Sequence, residues 1–254
     1  MKNKDGIIGI ILAGGEGKRL RPYTSGIPKP LLAVDAIPII DYVIKNVRTC
    51  SKVEKIYVGV SYKAYNIKDY LADAYQNSDV PIEAVVTLGW ETAGDLKQIL
   101  ISKGIKNKPV VVAYGDNLTE INIDKMLRFH HQKRALSTLA LFPAPWEDTN
   151  RFGIAEVEKG MITNFIEKPE KRPKSNLANA GYYIIDPFVF DRIPTDIARV
   201  EHTLFPDLIK CGKLAGYRFN PKYWIDIGTY EAYKKANRTK VLEGVLPPEK
   251  KYSR

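Results

Sequence analysis

Only two of the 254 residues are cysteine, Cys50 and Cys211. Two cannot build a disulfide framework or a four-ligand zinc site. Long apolar runs are also missing. No stretch approaches the roughly 18 residues of a membrane span. The longest near the start, Ile7 to Ala13, is interrupted by Gly9 and has no small-residue cleavage pattern after it, so no signal peptide is expected. Glycine (18) and proline (16) are too sparse for a collagen-like chain, and the apolar share of 44% with 27% charged residues excludes global disorder. These absences predict a cytoplasmic, reduced protein of one large domain or two small ones.

Acidic residues are the minority: 39 Lys and Arg face 29 Asp and Glu, for a net charge of +10. Such a balance favours an anionic partner, whether nucleotide, sugar phosphate, nucleic acid or membrane surface. Part of the excess lies in the last stretch, where Thr229 to Arg254 holds seven Lys and Arg against three acids. That stretch reads as a solubilising basic helix and tail. Nucleic-acid binding would call for basic residues interleaved with aromatics on one surface, but the tyrosines are scattered over the whole length.

Gly6 to Ala13 is short, continuous and β-branched, the pattern of a strand buried on both faces. Strands are predicted again at Lys55–Val60, Ile82–Thr87 and Pro109–Tyr114. Between them, helical spacing appears at Ile39–Val47, Tyr65–Tyr75 and Ala93–Ser102. This alternation predicts a mostly parallel α/β sheet. After a helix at Asp124–Lys133 the texture changes. Ser137–Pro143, Ile154–Val157, Ile162–Ile166 and Gly181–Ile185 read as strands, with a tight turn at Lys159-Gly160. A last helix is expected over Ala232–Glu243, ended by Pro247-Pro248. No linker divides the chain, so the simplest reading is one domain, residues 1–254: an α/β half (about 6–135), a β-rich half (about 136–228) closing over a cleft, and a C-terminal helix and tail.

The first predicted strand runs into Leu12-Ala-Gly-Gly-Glu-Gly-Lys-Arg-Leu20, followed by Pro28-Lys29-Pro30. Glycines after a first strand bring backbone N–H groups close to phosphate oxygens, although a Gly-rich turn without a ligand uses the same residues. A P-loop is excluded, because Leu12 and Arg19 stand where it needs Gly and Ser/Thr. A dinucleotide fingerprint is excluded, because Leu20 stands at its third glycine. What remains is a loop of Gly14, Gly15 and Gly17, then Arg19 with a planar fork for phosphate oxygens, then Lys29 as a point charge between two stiffening prolines. That pair suits a triphosphate whose pyrophosphate must leave.

At these residues the chain resembles the sugar-1-phosphate nucleotidyltransferase (nucleotide-sugar pyrophosphorylase) family. The pattern Leu-Ala-Gly-Gly-x-Gly-x-Arg-Leu and Pro-Lys-Pro is complete. Gly115-Asp116, Arg151-Phe-Gly153, Glu167-Lys168-Pro169, Asn179-Ala180-Gly181 and Trp224-Ile-Asp226-Ile-Gly228 follow in order. The resemblance, from about residue 6 to 235, implies a Rossmann-like, mostly parallel mixed sheet with a β-rich sugar-binding subdomain, like glycosyltransferase-A. It implies the reaction of an NTP with a sugar 1-phosphate to give an NDP-sugar and pyrophosphate. By the same resemblance Asp116 and Asp226 bind Mg²⁺, Lys168 contacts the sugar phosphate, and Glu167 and Asn179 bond sugar hydroxyls. Gly153 and Gly181 let the backbone approach the sugar. Arg19, Lys29, Asp116, Lys168 and Asp226 are the implied catalytic set.

The base-reading stretch Val86 to Leu96 departs from the pattern. Glu91 stands where many relatives carry Gly, and Val86 or Thr87 where they often carry Gln or Glu. Thr92, Glu91 and the backbone near Leu12 and Ala13 are the base-contact candidates, and Trp90 either caps the base or packs. The resemblance spans glucose-1-phosphate thymidylyl- and uridylyltransferases and mannose-1-phosphate guanylyltransferases; the second half, with Ser175-Asn176 before Asn179 and Glu201 three residues before Leu204-Phe205-Pro206, looks most like the latter. Base and sugar therefore stay open among UTP, dTTP and GTP and among glucose and mannose 1-phosphate. No left-handed β-helix follows residue 244, so acetyl transfer is not expected. The alternative is a catalytically silent nucleotide-sugar sensor, which should have lost a phosphate or metal residue; all five are present. No nucleic-acid or membrane partner is expected, and homo-oligomerisation is left open.

Overall fold

The computed structural model describes residues 6–239. The chain begins with β1 (Ile7–Leu12), two 3-10 turns (Lys18–Leu20 and Lys29–Leu31) around the short α1 (Tyr23–Gly26), and the hairpin β2 (Ala33–Val34) and β3 (Ile37–Pro38). Then come α2 (Ile39–Arg48), β4 (Val53–Val60), α3 (Ala64–Ala74), β5 (Ile82–Val86), α4 (Glu91–Ser102), β6 (Val110–Tyr114), β7 (Asn117–Thr119) and α5 (Ile123–Lys133). The second half holds β8 (Ser137–Pro143), β9 (Gly153–Glu158), β10 (Met161–Glu167), β11 (Leu177–Ile185), α6 (Leu204–Lys210), β12 (Leu214–Arg218), β13 (Trp224–Asp226) and α7 (Tyr230–Thr239).

Nine strands form one sheet in the order β5-β4-β1-β6-β11-β8-β12-β10-β9. The four strands of the first half are parallel to one another. Beyond β6 the neighbours are antiparallel, except that β12 runs parallel to β8. The β-rich half therefore continues the first sheet, because β11 pairs directly with β6. Sequence patterning could not show this: it reports which faces of a strand are buried, not its neighbour.

β1 shows why its residues are apolar throughout. Ile7 and Ile11 face a core built with α2, α3 and α5, while Ile8 and Ile10 face a second core built with α4 and α6. Burying each such isoleucine stabilises the fold by about 1.5–3 kcal/mol. The predicted tight turn is present between β9 and β10, with Lys159 and Gly160 both at positive φ. The expected last helix starts two residues early, and its part beyond Thr239, with the prolines, lies outside the described residues.

Seven short elements carry no sequence signal strong enough to predict: α1, β2, β3, β7, α6, β12 and β13. α6 has seven residues with Pro206 in its first turn, and β12 is interrupted by Gly216, which packs against Leu141. Cys50 is buried and Cys211 exposed, and both are free thiols. Among the described residues, no helix is long and apolar enough to cross a membrane.

Candidate active site

β1 is flanked by β4 on one side and β6 on the other. The chain steps outward from β1 to β4 and β5, then returns to the opposite side of β1 at β6. Loops after the carboxyl ends of such strands must diverge, and a crevice opens between them. Here that crevice is a cleft of about 760 Å³. Its walls are the end of β1 and the loop after it (Leu12 to Arg19), Ser61 and Tyr62 after β4, Leu88, Gly89, Glu91 and Thr92 after β5, and Tyr114 to Asp116 at the end of β6, with Lys29 and Gly228 added; Trp90 does not line it. All nine residues expected at a nucleotide lie on this wall: Leu12, Ala13, Gly14, Gly15, Gly17, Arg19, Lys29, Glu91 and Thr92.

The glycine loop is held from outside. The Ser61 hydroxyl donates to the Gly14 carbonyl at 2.6 Å, and the Thr24 hydroxyl to the Gly17 carbonyl at 2.9 Å. Gly17 has φ +64, and a Cβ there would lie 2.9 Å from Thr24 and 3.2 Å from Lys29. The turn thus places the loop against the lysine. Leu20 is fully buried and anchors the 3-10 turn that leaves Arg19 exposed.

Lys29 Nζ donates to Asp116 Oδ2 at 2.5 Å, with 12% of the lysine side chain and 34% of the aspartate exposed. Asp226 reaches the same place through the tertiary fold. β13 pairs antiparallel with β7, aligning Asp226 with Asn117, and Ile227 N–H donates to the Asp116 carbonyl. Burial and the neighbouring Asp116 charge raise the pKa of Asp226, while Lys29, Arg19 and Arg151 oppose that rise. Asp116, Lys29 and Arg19 line the cleft, whereas Asp226 and Arg151 lie beside it, within electrostatic reach of that group. Among the described residues no group of three or more His, Cys, Asp or Glu could hold a metal. Two carboxylates suffice for Mg²⁺, which keeps waters and takes its other ligands from phosphates. A half-buried like-charge pair fits a hard dication, so this donor set is compatible with the metal.

The five expected sugar residues do not line this cleft. They gather beside it on β9, β10 and β11. Gly181, at φ +74 in an irregular stretch of β11, packs on Asn117, whose amide donates to the Ala180 carbonyl. Asn179 Nδ2 donates to the Tyr183 hydroxyl at 2.8 Å, and its Oδ1 accepts from Gly181 N–H at 3.0 Å. Gly153 faces Glu167 across the β9–β10 ladder. The Glu167 pKa is raised by burial and by Glu201. Lys168 is exposed, at φ +48, with Nζ 3.9 Å from Glu167.

Two tyrosines at this junction, Tyr114 and Tyr183, were not singled out from sequence. The Tyr114 hydroxyl donates to Glu201 Oε1 at 2.6 Å, and burial holds its pKa well above the usual phenol value. The Tyr183 hydroxyl also lies 3.5 Å from Glu201 Oε1. Tyr114 could have been found, since it directly precedes Gly115-Asp116. In the sequence Glu201 is marked only by the likeness to mannose-1-phosphate guanylyltransferases; its contacts here are with partners 18 and 87 residues away. Glu91 lines the cleft, but both of its carboxylate oxygens are taken by Arg199, at 3.1 and 3.2 Å. Trp90 offers its N–H to Asp95 at 2.7 Å and so helps close the turn before α4.

Comparison with known proteins is consistent with this geometry. The profile of a family described as nucleotidyl transferase matches residues 8–242. A Sulfolobus acidocaldarius protein described as a mannose-1-phosphate guanyltransferase is 32% identical over 229 residues, covering 90% of this chain and 61% of that one. A Synechocystis UTP–glucose-1-phosphate uridylyltransferase is 31% identical over 253 residues, covering 94% of this chain and 63% of that one. The chain thus spans about three fifths of the length of these curated relatives. The crystal structure of a Bacillus anthracis protein described as a glucose-1-phosphate thymidylyltransferase superposes with a TM-score of 0.79 at 26% identity, covering 92% of this chain and 95% of that one.

Proposed function

The chain belongs to the nucleotidyl transferase family, and from that premise we propose that it transfers a nucleotidyl group from an NTP to a hexose 1-phosphate. The products are an NDP-sugar and pyrophosphate. The observation that carries this reading is the convergence of Arg19, Lys29, Asp116 and Asp226 at the carboxyl ends of β1 and β6. Two polyanions can be brought together only where positive charge is fixed near the reacting phosphorus.

In this reading the glycine loop holds the triphosphate through backbone N–H groups, and Arg19 and Lys29 neutralise the oxygens of the departing pyrophosphate. A phosphate oxygen of the sugar phosphate attacks the α-phosphorus in line. One P–O bond forms as the bond to the β-phosphate oxygen breaks, and the electron pair leaves with pyrophosphate. Lys168, exposed just after β10, would meet the sugar phosphate, while Glu167, Asn179 and the backbone at Gly153 and Gly181 would hold the sugar. Mg²⁺ held by Asp116 and Asp226 would supply charge neutralisation on the phosphate oxygens. Glucose and mannose 1-phosphate are the favoured acceptors, because relatives named for each match the chain; UTP, dTTP or GTP are the donors expected from sequence, and the matching glucose-1-phosphate adenylyltransferases add ATP to them. The protein works in this reading as a cytoplasmic enzyme of nucleotide-sugar biosynthesis, with no nucleic-acid or membrane partner.

The test is a matrix of four NTPs and dTTP against glucose, mannose, galactose and N-acetylglucosamine 1-phosphates with Mg²⁺, reading pyrophosphate. One dominant pair supports the reading and identifies both substrates. A blank matrix, alongside tight binding of an NDP-sugar, would turn the assignment to a silent sensor.

A further inference from the structure

Glu91 is a non-glycine residue at φ +59, a backbone conformation that an L side chain adopts at a cost. It begins α4 and sits on the wall of the cleft. Its carboxylate is gripped by both ends of the Arg199 fork, Nε to Oε2 at 3.1 Å and Nη2 to Oε1 at 3.2 Å. Arg199 belongs to a segment of the second half, residues 196–201, that lies directly on the amino end of α4. The Ala93 N–H donates to the Ala198 carbonyl at 2.9 Å, and the Ala198 N–H to the Trp90 carbonyl at 3.2 Å. The Val200 N–H donates to Thr92 Oγ1, which itself donates to Glu201 Oε2 at 3.3 Å. The approach is so close that a Cβ on Gly94 would stand 2.2 Å from the Asp196 carbonyl oxygen.

One end of this segment therefore rests on nucleotide-half residues. Its other end delivers Glu201 to Tyr114 and Tyr183, and Tyr183 accepts from Asn179. Glu201 stands between the wall expected to meet the nucleotide and the residues expected to meet the sugar. A bidentate guanidinium–carboxylate pair fixes orientation as well as distance. A single point charge in place of Arg199 would not.

We propose that the Glu91–Arg199 pair is a clasp that holds residues 196–201 on the start of α4 and thereby positions Glu201 between the two subsites. Glu91 and Arg199 are positioning residues: they act through Glu201 and the backbone around it. The kinetic part of this proposal rests on the functional reading above; the structural part does not. The left-handed backbone at Glu91 is tolerated because its carboxylate is held from outside.

The test compares wild type with Arg199→Gln, Arg199→Lys, Glu91→Gln and the charge swap Glu91→Arg with Arg199→Glu. Hydrogen exchange is followed at Ala93, Ala198 and Val200 N–H, and the KM for each substrate is measured separately. The pair is about half exposed, at 43% and 47% for Glu91 and Arg199. Loss of such a pair is expected to speed exchange at these amides, and to raise the KM for hexose 1-phosphate, by about three- to fivefold. For Arg199→Gln the NTP KM and kcat both stay within about twofold; Arg199→Lys recovers part of the loss in exchange protection, and the swap recovers most of it. Unchanged exchange in the single variants, or a swap no better than they are, overturns the clasp. Altered exchange with both KM values unmoved overturns the positioning role. If wild type releases no pyrophosphate with any substrate pair, the functional reading has failed, and exchange alone decides the clasp.

Discussion

Replacing Lys29 by Gln removes one positive charge while keeping a side chain of similar reach, and its effects on activity and stability should separate. Lys29 is the cation that bonds Asp116, and its charge also moderates the raised pKa of Asp226. Loss of a preorganised charge at a reacting phosphate costs on the order of 10²–10³ in turnover. The stability cost should be smaller. With 12% of the lysine and 34% of the aspartate exposed, the pair lies between a surface bridge, which contributes under about 1 kcal/mol, and a fully buried one, whose breakage costs about 3–5. A loss of about 1–2 kcal/mol is expected, roughly 2–8 °C in Tm for a chain of this size. The pH dependence fixes the cause. Asp226 is an acid whose native pKa is raised above 3.8. Its contribution is intact below that ordinary value and is lost as pH rises through the raised one. Without Lys29 the loss deepens, so the variant should fall further behind wild type at pH 7 than at pH 4.5. Steady-state pyrophosphate release and urea unfolding at both pH values measure this. Adding Asp116→Asn to the variant should restore stability but not turnover. An activity loss under tenfold, or a stability gap that widens on acidification, would refute the reasoning.

Three further perturbations test other parts of the account. Asp226→Asn removes the half-buried like charge, so turnover should fall by at least about 10²-fold while Tm at pH 7 holds or rises; near wild-type pyrophosphate release would sink the metal assignment. Gly181→Ala puts a Cβ 2.2 Å from Asn117 Nδ2 at φ +74. Backbone strain plus overpacking should cost about 2–4 kcal/mol by urea unfolding, and a variant as stable as wild type would contradict the packing described. His130 is buried against the Thr138 hydroxyl, and burial with the adjacent His131 lowers its pKa from 6.5 to about 4. The native state thus takes up this proton later than the unfolded state. Its contribution is whole above 6.5 and is lost as pH falls towards 4, about 3 kcal/mol in all. His130→Asn should flatten the stability profile between pH 7 and 4; an unchanged slope would show that other groups carry it.

The sequence by itself determined the layered α/β plan and the face of each long element. Ile7, Ile8, Ile10 and Ile11 are apolar because β1 has a core on each side, and α2 shows its buried stripe at helical spacing. It also determined the glycine loop and the chemistry of Arg19 and Lys29, because that part of the site is local: one turn and its flanks. What it could not contain was adjacency. Asp116 and Asp226 meet because two three-residue strands pair across 110 residues, and strands that short have no periodicity to read. Arg199 reaches Glu91, and Glu201 reaches Tyr114 and Thr92, through a loop whose sequence does not name those distant partners. The continuity of the sheet from β6 into β11 is of the same kind. Periodicity records what each residue's own backbone imposes on it, whereas contacts between distant segments are set by how whole layers pack, and only the folded chain decides those.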